Sequence, residues 1–133
     1  MEKEYYFRTH QLAIWRPSGI LDSKKIHEFV IFLNRESERR DPHFNRFIDL
    51  CEISGISVNF SELYQISRDR KIFHSLHLRH NVKMVFLVNN SLSFGMARMY
   101  QTLYDDPKLK ITICEDITEA SNLLEVEKEI LRS

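Results

Sequence analysis

The 133-residue sequence predicts an α/β fold with a mainly parallel sheet of four to five strands flanked by helices, on three observations. Val82 to Val88 is a nearly unbroken apolar run, the pattern of a strand buried on both faces of a parallel sheet. Immediately after it, Leu92, Met96, Met99 and Leu103 recur at i, i+4, i+7 and i+11, which is one face of a helix. The same alternation of short apolar segment and longer amphipathic segment recurs along the chain, in the order β-β-α-β-α-β-α-β-α. Strands separated by helices of this length need right-handed crossovers, so most of the sheet is parallel and helices cover at least one face.

Taken in order, Tyr5 to Thr9 and Gln11 to Arg16 read as two short strands forming a hairpin at a sheet edge, closed by the turn Pro17-Ser18-Gly19. Asp22 or Ser23 can cap a first helix whose core stripe is Ile26, Phe29, Val30 and Leu33; it is expected to dissolve in the charged run Asn34 to Asp41, before Pro42. Phe44 to Leu50 is the next strand. Asn59 and Glu62 have capping-box spacing and open a second helix with Phe60, Leu63, Ile66, Phe73 and Leu76 on one broad face. The Val82 to Val88 strand and its helix follow, then a strand from Leu109 to Cys114. Asp116 and Glu119 repeat the capping-box spacing before a last helix carrying Ile117, Ala120, Leu124 and Leu131.

The length suits one domain, residues 1–133, with a single well-filled core. Lys plus Arg and Asp plus Glu both total 19, so no global field favours nucleic acid or anionic lipid. The amino terminus lacks the apolar segment of a signal peptide, and no apolar run is long enough to span a bilayer, which predicts a cytoplasmic chain. Cys51 and Cys114 each end a buried strand and read as reduced, packed thiols.

Two segments carry a resemblance: Phe47-Ile48-Asp49-Leu50 through Ser57-Val58, and Val85-Phe86-Leu87-Val88-Asn89-Asn90 through Phe94-Gly95-Met96-Ala97-Arg98-Met99. With the element order, they resemble the STAS superfamily, named for sulfate transporters and anti-sigma factor antagonists, and in particular its small stand-alone bacterial STAS/SEC14-like branch. The resemblance spans roughly Tyr5 to Val126. It implies a STAS-like fold and a non-enzymatic protein-interaction or ligand-sensing module. Members similar to the antagonists are switched by phosphate on a serine at the start of the helix after the Asp-Leu strand. Here that position is Val58, which has no hydroxyl; Ser57 and Ser61 are the neighbouring candidate acceptors.

In α/β sheets, ligands dock where strand carboxyl ends meet helix amino termini. The turn Asn89, Asn90, Ser91 and Ser93, with Arg98 one helical turn on, could hold a phosphate or carboxylate there; the same residues equally suit a helix cap with a surface arginine. His74, His77 and His80 are spaced three apart, yet no cysteine or carboxylate lies close in sequence to complete a zinc site, so no metal or other cofactor is expected. Arg68, Arg70, Lys71 and Arg79 make either a basic patch or a solvated helix face. Asp105-Asp106 precedes Pro107 and reads as a turn. Gly-x-Ser-x-Gly is absent, and no nucleophile is placed beside a histidine and an acid, so the sequence predicts no enzyme. Ile31 and Phe32 fall off the core stripe of the first helix, which makes them a candidate interface for a second copy or another protein, unless the amino-terminal hairpin covers them. The many phenylalanines and methionines of the helices also allow an alternative: a small-molecule or lipid carrier with an apolar pocket between helices and sheet.

Overall fold

The computed structural model describes residues 4–8, 11–104 and 106–132. A five-stranded sheet is built from β1 (Tyr5–Arg8), β2 (Leu12–Trp15), β4 (Asn45–Asp49), β6 (Val82–Leu87) and β7 (Leu109–Cys114), in that spatial order. β1 runs antiparallel to β2, and every other pairing in this sheet is parallel. The hairpin of the first two strands is therefore present, but only β1 lies at the edge. β2 pairs with β4 on its other side, all four of its residues are buried, and Trp15 belongs to the core instead of an edge. Thr9, expected at the end of the first strand, lies outside the described residues.

Two short strands were not expected. β3 (Gly19–Asp22) and β5 (Ile53–Ser57) form a separate parallel pair. They continue the chain a few residues beyond the carboxyl ends of β2 and β4, where Gly19 adopts φ 71°, a conformation that favours glycine. What reads as a closing turn at Pro17-Ser18-Gly19 is thus the entry to another strand.

Helix α1 (Ser23–Arg39) is capped by Asp22, whose carboxylate accepts from the Lys25 N–H at 2.9 Å. It does not dissolve at Asn34. Glu36 is buried and takes Arg40 at 2.8 Å and Arg39 at 3.7 Å, so the charged run closes on itself and continues the helix. Helix α2 (Phe60–His77) opens with the expected capping box between Asn59 and Glu62. Helix α3 (Ser91–Leu103) follows β6. The last helical segment is divided: α4 (Ile117–Leu124) ends at Glu125 in the left-handed conformation, and α5 (Lys128–Arg132) follows. Asp116 caps α4 by accepting from Thr118 N–H at 2.8 Å.

Alternation along the strands divides the core between the two faces. Ala13, Trp15, Phe44, Ile48, Met84 and Phe86 pack under α1, α2 and α3, whereas Leu12, Ile14, Phe47, Val85 and Leu87 pack under α4 and α5. No helix among the described residues is long and apolar enough to cross a membrane.

Candidate ligand-binding site

Between the sheet and helices α1 to α3 lies a cavity of about 60 Å³, walled by side chains such as Trp15, Phe29, Leu33, Ile48, Ile66 and Met96. Its polar lining comes from Arg46, Arg70, His74 and Tyr100. Arg46 occupies the inward position between Phe44 and Ile48 on β4 and has no exposure. Arg70 and His74 lie one turn apart on α2, below Leu63 and Ile66, and are 4% and 1% exposed. The inner face of α2 is therefore Leu63, Ile66, Ser67, Arg70 and His74. The expected face is corrected here: Phe60 and Leu76 point to solvent, and the polar residues Ser67, Arg70 and His74 lie inside. Arg70 likewise leaves the basic patch it was assigned to.

The polar groups form a chain. Arg70 Nη1 donates to Asn34 Oδ1 of α1 at 2.5 Å, bridging the two helices, and Arg70 Nη2 donates to His74 Nε2 at 3.2 Å. With Nε2 accepting, the proton sits on Nδ1 and is given to the Tyr104 hydroxyl oxygen. Burial, reinforced by the charges of Arg70 and Arg46, drives His74 down to about 2, so it is neutral. Burial and then the Arg70 charge lower Arg46 to about 9, which leaves it cationic at neutral pH. Burial pushes Tyr100 up to about 12 and also raises Tyr104. Arg46 donates Nη1 to the Phe44 carbonyl and stacks over the Phe44 ring at 4.3 Å; its Nε and Nη2 have no hydrogen-bond partner among the described residues.

The Asn89 to Arg98 turn is put together differently. Asn90 caps α3 by accepting from Ser93 N–H at 2.9 Å, and the Ser93 hydroxyl oxygen receives the N–H groups of Asn89 at 3.1 Å and Asn90 at 3.2 Å. Ser93 is fully buried in this work, Arg98 turns to Gln101 at 2.7 Å, and Glu115 adds a carboxylate to the hollow beside Ser91 and Phe94. Gly95 is exposed, and a Cβ there would meet nothing within 4 Å, so it does not serve a close approach to a strand.

The remaining candidates are scattered. Ser57 ends β5 and Ser61 lies in the first turn of α2, both exposed. Phe32 packs on Tyr5 at 5.0 Å between ring centroids, while Ile31 stays exposed, so the hairpin covers one of the pair. His77 ends α2 with its exposed ring against the Phe73 carbonyl, and His80 stacks on His43 at 4.0 Å; the three spaced histidines do not converge. No cluster of metal-ligating side chains occurs among the described residues. Asp105 lies outside them, and Asp106 accepts from Lys108 N–H at 2.7 Å in a turn. Cys51 and Cys114 are free thiols, pushed up by burial to about 12 and about 11, which makes them poor nucleophiles.

Sequence reasoning did not find Arg46, Tyr100 or Tyr104. The signal for Arg46 was available: on a strand alternating Phe44, Arg46 and Ile48, the arginine shares the apolar face.

No family model matches the chain, and no curated protein matches it in sequence. A solved structure does match: an uncharacterised protein of the DUF3478 family with a SpoIIAA-like fold from Shewanella loihica PV-4, with a TM-score of 0.53 and 15% identity over 85% of this chain and 83% of that one. The fold is SpoIIAA-like. This STAS architecture agrees with the resemblance carried by the two segments around Asp49 and Asn89, and at this identity it speaks for fold alone.

Proposed function

We propose that the chain is one STAS-like domain acting as a ligand-sensing module without catalysis of its own, and that it encloses a small molecule with an apolar body between α1, α2, α3 and the sheet. The observation that carries this reading is the cavity of about 60 Å³ walled by Trp15, Phe29, Leu33 and Ile66. Well-packed interiors hold few voids larger than a water molecule, so a cavity of this size at the centre of a core is a feature to be explained. Its small volume favours a sensed molecule over bulk cargo, which sets this reading above the carrier. Against an enzyme stands the chemistry of the lining: His74 is neutral with both ring nitrogens engaged, and no nucleophile borders it.

Helix α2 offers a route from cavity to surface. Its inner side meets the cavity through Leu63, Ile66, Arg70 and His74, and its outer side exposes Phe60, Tyr64, Ile72 and Leu76. A shift of the helix on binding therefore alters an exposed apolar surface that a protein partner can read.

The test is native mass spectrometry of the protein purified from its own cells, beside an Ile66→Phe variant that fills the space. The wild type is expected to retain a small molecule and the variant to lose it while keeping its melting temperature, since the added ring occupies a void instead of overpacking. A bare wild-type protein, together with a variant destabilised by the ~1–3 kcal/mol typical of overpacking, would overturn the reading.

A further inference from the structure

We infer that the cavity's ligand is an anion, a small carboxylic acid with an apolar body whose carboxylate is received by Arg46 and Arg70. This rests on the binding reading above and names the chemical class that the site selects.

Two guanidinium groups are buried against the same cavity, and no carboxylate among the described residues answers either. Glu36 is the buried acidic residue among them, and it is already held by Arg40 and Arg39. Arg46 gives a single hydrogen bond, to a neutral carbonyl, and leaves Nε and Nη2 unmatched at zero exposure. A buried cation is ordinarily paired, because removing it from water without compensation is among the costliest events in folding. The two charges also repel each other, which is part of why Arg46 titrates low. Neutral His74 cannot compensate them; it accepts from Arg70 and so orients that guanidinium without contributing charge. The fork of N–H donors on an arginine matches the two oxygens of a carboxylate.

The walls define the rest of the ligand. Apart from the arginines, His74 and Tyr100, the lining is apolar, with Trp15 and Phe29 stacked at 4.5 Å on one side. The volume of about 60 Å³ is under half of the ~150 Å³ of a cavity that admits benzene, which limits the ligand to about four heavy atoms and its apolar body to a methyl group. A long acyl chain does not fit this space.

The experiment titrates the isotope-labelled protein, in chloride-free buffer, with acetate, its neutral isostere acetamide, and formate, following the arginine Nε–H resonances by NMR. Acetate is expected to shift the Arg46 and Arg70 signals and to bind at least about tenfold more tightly than acetamide, the scale of one charge-assisted hydrogen bond. Arg46→Met is expected to abolish that preference while its melting temperature reports a folded protein; Arg70→Met serves the same purpose should Arg46→Met not fold. Equal binding of acid and amide would overturn the anion inference and leave the apolar binding reading standing. Formate binding as tightly as acetate would keep the anion seat and overturn the apolar-bodied ligand. No response to any of the three compounds would overturn both. Preference for the acid that survives in both arginine variants would overturn the assignment to these residues.

Discussion

The Asn89 to Arg98 turn and the Arg46–Arg70–His74 cluster are both gatherings of polar groups around β6, and they differ in where their hydrogen bonds end. In the turn, Asn90 and Ser93 satisfy one another and the free N–H groups at the start of α3, and Arg98 closes on Gln101. In the cluster, the bonds run from Asn34 through Arg70 and His74 to Tyr104, and Arg46 beside them is left with unmatched donors. The turn sits where α/β folds commonly bind ligands, at a strand's carboxyl end. Position favours the turn, and saturation favours the cluster. A polar group that has spent its hydrogen bonds stabilises the fold; one that has not holds them for something else.

The largest expected effect is a pH dependence that belongs to the cluster alone. His74 is held at about 2 in the folded chain, against about 6.5 when unfolded, by burial and then by the charges of Arg70, Arg46 and His77. Since the folded value lies below the unfolded one, the neutral form is stabilising. That stability is complete above pH ~6.5 and is lost as pH falls from there towards 2, because the unfolded chain takes up the proton first. By pH 5 the loss amounts to about 2 kcal/mol. Urea unfolding at pH 7, 6 and 5 measures it, and a His74→Leu variant is expected to be less stable at pH 7 but flat across that range. A wild-type slope no steeper than the variant's would show that the imidazole is not buried as a neutral acceptor.

Tyr104→Phe tests the far end of the same chain with a similar or smaller effect. It removes the oxygen that takes the His74 Nδ1 proton and leaves a buried donor unmatched, at a cost of about 1–3 kcal/mol in chemical denaturation. The pH response between pH 7 and 5 should stay as in the wild type, since His74 is neutral in the folded chain throughout that range and the unfolded chain alone takes up the proton. A neutral substitution would mean that water reaches His74, and would weaken the contrast with the turn.

The strands β4, β6 and β7 and the caps of α2 and α3 were legible because each rests on local signals: apolar runs, and an Asn followed three residues later by a partner. β3 and β5 were not, because strands of four and five residues that pair only with each other leave no long periodic pattern. Helix α1 outran its apolar stripe because Glu36, Arg39 and Arg40 support the last turns through ion pairs that hydropathy does not register. The site failed for a related reason. Hydropathy assigns an arginine to the surface, so Arg70 was placed in a solvated patch and Arg46 was passed over, although the spacing of Ile66 to Arg70 and the alternation of Phe44, Arg46 and Ile48 both put the charges on buried faces. Periodicity located these side chains correctly, and residue type argued against it.

The smallest effects belong to the turn. Asn90→Ala removes the cap of α3 and is expected to cost about 1 kcal/mol, and Ser93→Ala, which orphans the Asn89 and Asn90 N–H groups, should cost a similar amount. Arg98→Gln, at an exposed side chain that donates to Gln101 of its own helix, should change stability by less than about 0.5 kcal/mol. None of the three touches the cavity, so acid binding measured on the same proteins should match the wild type. The comparison would reverse if Arg98→Gln abolished binding of inorganic phosphate or of a carboxylate that Arg46→Met left intact. In that case the saturated turn would release its hydrogen bonds to a ligand, and the unmatched donors of Arg46 would be a structural cost that the apolar core around them sustains.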